Sequence, residues 1–225
     1  MTQIFRLPFR PTAIIFDMDG LLIDSERISR ETMIAASAEL GFAMTEDDYV
    51  PLIGLPKDGE GDYFARRFGP GFDLAVMRRI QTRIKTERFG ADRPLKPGVT
   101  AVIAAAKALA LPCAVATSSY RADAVAHLTH MGLLPAMAAV LTRDDVAHGK
   151  PAPDLYFAAA AALGQRPAHC LALEDSYNGV RAAHAAGVPV VMVPDLLLPT
   201  PEMRALAIAV APSLADVGRW LDAIR

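Results

Sequence analysis

Asp17-Met18-Asp19-Gly20 sets two carboxylates two residues apart, directly after the apolar run Ala13-Ile14-Ile15-Phe16. Such a run, short, β-branched and bounded by turn residues, predicts a buried strand of a parallel sheet. The two acids then leave the carboxyl end of that strand, where ligands bind in open α/β sheets. Burying a charge is expensive unless it is paired or bound to a metal, so something cationic belongs beside them. A solvated Asp-rich turn and a calcium loop of the D-x-D-x-D-G kind are the competing interpretations. The calcium loop needs a helix before it, and Leu21-Leu22-Ile23 supplies no oxygen ligands.

Two further segments repeat the pattern of an apolar run that ends in chemistry, and a third adds a cation. Ala114-Val115-Ala116 runs into the hydroxyls of Thr117-Ser118-Ser119. Cys170-Leu171-Ala172-Leu173 runs into Glu174-Asp175-Ser176. Between them, Gly149-Lys150-Pro151-Ala152-Pro153-Asp154 fixes one lysine in a rigid turn ahead of a helix. Gathered together, Asp17, Glu174 and Asp175 would repel: at about 4 Å each like-charge pair costs roughly 4 kcal/mol at an effective dielectric near 20.

The elements that must position these groups alternate from residue 98 onward, as a parallel sheet covered by helices requires. Helical patterns cover 99–110, 121–131, 153–163, 177–186 and 213–224, with strand patterns at 113–117, 138–141, 170–174 and 189–193. Residues 27–95 break this rhythm with helical segments at about 25–40, 46–53, 58–68 and 73–88, punctuated by Gly and Pro. They read as a small helical bundle inserted after the first strand. At 225 residues, 52% hydrophobic and 21% charged, the chain can bury a large core. A net charge of -2 gives no basic footprint for nucleic acid. The longest apolar segment, 101–116, is broken by Lys107 and Pro112 and predicts no membrane span. Cys113 and Cys170 lie inside strand-like runs and read as small buried hydrophobes of a reducing compartment, which points to the cytoplasm.

In order and spacing, these segments resemble the four motifs of the haloacid dehalogenase-like superfamily. Over essentially its full length the chain is similar to that superfamily's phosphatase and β-phosphoglucomutase-like branch. The resemblance implies an α/β fold, a Rossmann-like parallel sheet core of residues 1–26 and 96–225 with an inserted helical-bundle cap of residues 27–95. It makes Asp17 a nucleophile that forms an aspartyl-phosphate, and Asp19 the general acid and base. Lys150 would pair with Asp17 and the phosphoryl oxygens, while Thr117 and Ser118 would hold the phosphate. Plain N-capping of the next helix is the alternative role for that hydroxyl pair. Asp175 and Glu174 are the inner and outer metal acids, joined by Asp17 and the backbone carbonyl of Asp19; all-oxygen ligation at a phosphate favours Mg²⁺. Helix capping is the other role open to Glu174-Asp175. The expected partner is a small phosphate ester, a sugar or polyol phosphate, and the expected state a monomer.

Within the branch, Ile53-Gly54-Leu55-Pro56-Lys57 aligns with the substrate loop of the cap, with Lys57 where β-phosphoglucomutases usually carry arginine. Lys57 is thus a candidate substrate contact, as is Arg121. Those mutases also carry a histidine on the first cap helix, where this chain has Ser29. A mutase must clamp a second phosphate, for which lysine is a poorer fork than arginine, so hydrolysis is the expected reaction. The alternatives are a sugar phosphomutase and a non-catalytic relative that kept the fold.

Overall fold

The computed structural model describes residues 5–53, 57–90 and 94–224, with the side chains of 57–59 outside that description. Its contacts divide the chain into two compact units, Met1–Asp24 with Pro94–Arg225, and Ser25–Arg93.

The first unit is built on six parallel strands: β1 (Ala13–Phe16), β2 (Cys113–Ala116), β3 (Ala139–Leu141), β4 (Cys170–Glu174), β5 (Val190–Met192) and β6 (Ala209–Val210), in the order β3-β2-β1-β4-β5-β6. Parallel strands need crossover helices, so the sheet is covered on both faces. Strand side chains alternate between faces, and the core divides accordingly. Ile14, Phe16, Val115, Leu171 and Leu173 meet the buried faces of α5 (Val99–Ala108), α6 (Arg121–His130) and α10 (Leu214–Asp222). On the other face Ile15, Ala114, Ala172 and Met192 meet α7 (Asp154–Ala162), α8 (Tyr177–Ala185) and α9 (Pro201–Leu206). Small alanines on α7 and α8 let those helices sit close on the sheet, which brings their first turns near the strand ends.

In register, Phe16 of β1 lies beside Val115 of β2 and Leu173 of β4. Asp17 and Glu174 therefore stand at one level, each one residue beyond those paired positions, and Thr117 follows two residues beyond Val115. β1 and β2 are central and fully buried, as their unbroken apolar runs require.

The second unit is helical. Its elements are α1 (Ser25–Glu39), α2 (Glu46–Tyr49) continued by a 3₁₀ turn over Val50–Leu52, α3 (Lys57–Phe68) and α4 (Leu74–Phe89). α1 packs along α4 around Ile28, Met33, Ala36, Met77 and Ile84. Phe42, Phe64, Phe68 and Phe72 form a second cluster with ring centroids 4.7–6.1 Å apart. Asp48 ties α2 to α3 through an ion pair with Arg67. At the end of the first unit, the two chain crossings are stitched by backbone bonds from Asp24 N to Pro94 O and from Lys96 N to Leu22 O. Lys96 Nζ is held there by Asp195 at 2.5 Å and Asp24 at 3.5 Å.

Candidate active site

The loop after β1 turns sharply. Gly20 adopts φ 87°, a conformation that L side chains rarely take, and its N–H donates to Ile23 O at 2.9 Å. A Cβ at Gly20 would also overlap the Asp175 carboxylate. Glycine thus serves both the turn and the close approach of β1's loop to the end of β4. Leu22 N and Ile23 N both donate to Met18 O, which locks the loop beneath the two acids.

Lys150 reaches this point from the turn ahead of α7. Its side chain is only 5% exposed, and Nζ donates to Asp17 Oδ1 and Glu174 Oε1, both at 2.5 Å. Glu174 is 0% exposed. Its Oε1 also accepts from the Tyr156 hydroxyl at 2.7 Å, while Oε2 accepts from Ser176 N at 3.3 Å and Ser176 Oγ at 3.1 Å. Ser176 in turn caps α8, its Oγ accepting from Gly179 N. A Cβ at Gly179 would collide with the Glu174 carboxyl, so the first turn of α8 leaves the space this acid fills.

Carboxylate oxygens of Asp17, Glu174 and Asp175 lie within 4.8 Å of one another, and all three residues are buried. Burial pushes the Asp17 carboxyl up, to about 8; Lys150 pulls against this, and Glu174 and Asp19 add to it. Burial also opposes the charge on Lys150, but Asp17 and Glu174 outweigh it and hold the ammonium protonated. One lysine among these acids leaves excess negative charge in a site of low dielectric. An all-oxygen donor set with that excess fits a hard divalent cation, whose charge would reverse the shift at Asp17.

Asp19 is held from the β2 side. Ser119 Oγ donates to Asp19 Oδ2 at 2.7 Å, Thr117 Oγ1 lies 3.5 Å from the same oxygen, and Ser119 N donates to Thr117 Oγ1 at 3.0 Å. Thr117 and Ser118 do not cap the next helix. α6 begins only at Arg121, whose N–H donates to Asp144 Oδ2 at 2.7 Å. Ser118 is exposed. The Arg121 guanidinium is engaged by both oxygens of Asp145 at 2.5 Å. Lys57 opens α3, but its side chain falls outside the described residues, as do residues 54–56 of the loop before it.

Asp17, Asp19, Thr117, Lys150, Glu174 and Asp175 therefore gather at the carboxyl ends of β1, β2 and β4. Tyr156, Ser119 and Gly179 join them without having been anticipated. The available signal for Tyr156 was a phenol on the buried face of an alanine-rich helix, since a buried tyrosine hydroxyl needs a partner.

Parallel strands that end together on acids, hydroxyls and one buried lysine define an α/β enzyme. The family model of haloacid dehalogenase-like hydrolases matches residues 11–187. Protein CbbY (plasmid) of Cupriavidus necator is 36% identical over 219 residues, covering 91% of this chain and 86% of that one. Hexitol phosphatase B of Escherichia coli is 35% identical over 191 residues, covering 83% and 85%. The crystal structure of a putative β-phosphoglucomutase from Thermotoga maritima superposes with a TM-score of 0.80 at 25% identity, covering 95% of this chain and 99% of that one. The chain belongs to the haloacid dehalogenase-like hydrolase family and is an enzyme of its phosphatase and mutase branch.

Proposed function

We propose that the protein is a Mg²⁺-dependent phosphomonoesterase that hydrolyses a small sugar or polyol phosphate through a phospho-aspartate. The observation that carries this is Asp17 at the end of β1, bridged by Lys150 to Glu174, with carboxylate oxygens of Asp17, Glu174 and Asp175 within 4.8 Å of one another. Asp17 attacks phosphorus, the bond to the leaving oxygen breaks, and Asp19 gives that oxygen its proton. Asp19 then takes a proton from water, which attacks the phospho-aspartate and frees inorganic phosphate and Asp17. Ser119 keeps the Asp19 carboxyl aimed, and Lys150 faces the charge that gathers beside Asp17. Asp17, Asp175 and the Asp19 carbonyl would hold Mg²⁺, with Glu174 as the outer acid. Bound there, Mg²⁺ offsets the charge of the phosphoryl oxygens and of the acids together.

The helical unit Ser25–Arg93 is the cap of this branch, and Lys57 its candidate substrate contact. A phosphatase of hexitols among the relatives supports a polyol or sugar leaving group. Ser29 and Lys57 stand where β-phosphoglucomutases carry histidine and arginine, which favours hydrolysis over mutase transfer. Both free cysteines are buried, in keeping with a cytoplasmic setting, and among the described residues no helix is long and apolar enough to cross a membrane. The protein is taken to act alone, on a small molecule.

Phosphate release from a panel of sugar, polyol and nucleotide monophosphates, with Mg²⁺ and with chelator, tests this. Chelator-sensitive release from a few sugar or polyol phosphates is expected, and is lost in Asp17→Asn. Interconversion of sugar phosphate isomers without release would replace the hydrolase with the mutase.

A further inference from the structure

Lys150 is not held by its acids alone. Tyr156 lies six residues on, in the first turn of α7, with its side chain 0% exposed. The ring lies beneath the lysine, with Nζ 5.3 Å from the ring centroid. Its hydroxyl donates to Glu174 Oε1 at 2.7 Å, the same oxygen that Lys150 contacts at 2.5 Å. Lys150, Glu174 and Tyr156 thus close a ring of three contacts, and Asp17 meets it at the lysine.

We infer that Tyr156 is a positioning residue, which sets the point at which Lys150 meets Asp17 by fixing Glu174 with its hydroxyl and backing the ammonium with its ring. Glu174 Oε1 is shared between two donors. Take the phenol away and the whole of that oxygen's charge draws on Lys150, which moves toward Glu174 and away from the nucleophile. Ser176 already occupies Oε2, so Glu174 has no spare oxygen with which to adjust. A lysine on a flexible four-carbon stem is a point charge with little directional preference of its own, and a buried one leans on the π-face under it. Any substrate that draws on Lys150 then meets an ammonium already at its working position. Tyr156 does not touch Asp17 and takes no proton in the reaction.

This rests on the hydrolase assignment above, and the test keeps the two apart. Tyr156→Phe keeps the ring and removes the hydroxyl. Expected is a roughly tenfold fall in kcat with KM changed less than twofold and the thermal midpoint within about 3 °C of the parent. In a Glu174→Gln background the same substitution should cost less than twofold, because the carboxylate through which the tyrosine acts is gone. Equal losses in both backgrounds, or kcat within twofold of the parent in the single variant, would overturn the inference. A crystal structure of Tyr156→Phe provides a readout that needs no activity. Withdrawal of Lys150 Nζ from Asp17 supports the inference, and an unchanged Asp17–Lys150–Glu174 geometry overturns it. If the parent enzyme releases phosphate from no ester, the hydrolase assignment fails while the crystal structure still decides the role of Tyr156.

Discussion

Asp17 is an acid both buried and crowded by other acids, a combination that folding alone would not favour. Its carboxyl is pushed up to about 8 chiefly by burial, so ionising it is costly in the fold and a neutral isostere avoids that cost. Asp17→Asn is therefore expected to lower turnover by more than about 10³-fold, as removal of the proposed nucleophile would, while the thermal midpoint stays level or rises. Phosphate release and calorimetry on the same sample check both halves. A fall in both together would mean that Asp17 serves the fold. Lys150 is the reverse case, a cation whose burial is tolerable because two carboxylates meet it at 2.5 Å.

At the level of elements, the first turn of α8 is shaped around Glu174. Alanine normally stabilises a helix interior relative to glycine by about 1 kcal/mol. At position 179 the added methyl would meet the Glu174 carboxyl instead. Gly179→Ala should cost about 1–3 kcal/mol, the usual effect of overpacking, and lower kcat at least tenfold, read by denaturant unfolding and by turnover. In the helical unit, α2 and α3 are joined by Asp48, whose carboxyl is held below the usual carboxylate range by the hydrogen bond from Arg67. A lowered native value means that the pair's contribution is present above the unfolded value, about 4, and is lost as pH falls through the native one. Asp48→Asn should cost about 1–2 kcal/mol at pH 7, because Arg67 is partly exposed. The difference from the parent should shrink below about pH 4, as thermal melts across pH 3–7 would report.

For the whole molecule, the proposed Mg²⁺ among the acids at the strand ends carries an expectation for stability. Mg²⁺ at about 100 times its dissociation constant should stabilise the chain by about 2.7 kcal/mol, which for a protein of this size is a midpoint rise of roughly 5–10 °C. Chelator should abolish both this rise and phosphate release. Asp175→Asn should require a higher Mg²⁺ concentration for activity and show a smaller midpoint shift. An Asp175→Asn variant with the parent's Mg²⁺ requirement would remove Asp175 from the metal site.

The α/β architecture and most of the site were legible in the chain itself. Strands buried on both faces must be nearly all apolar, so polar residues at their ends stand out, and the parallel register then levels Asp17 with Glu174 and leaves Thr117 one residue further on. Proline and glycine around Lys150 marked its turn for the same local reason. What the chain could not reveal is how side chains far apart in sequence share atoms. That Glu174 divides one oxygen between Lys150 and Tyr156, that Ser119 rather than a capping role claims the hydroxyl segment for Asp19, and that Asp144 caps α6 all depend on packing. Such contacts follow from how closely α7 and α8 settle on the sheet, a distance set by the sum of many small side chains. Periodicity records which face a residue occupies; only close packing decides which atom it touches.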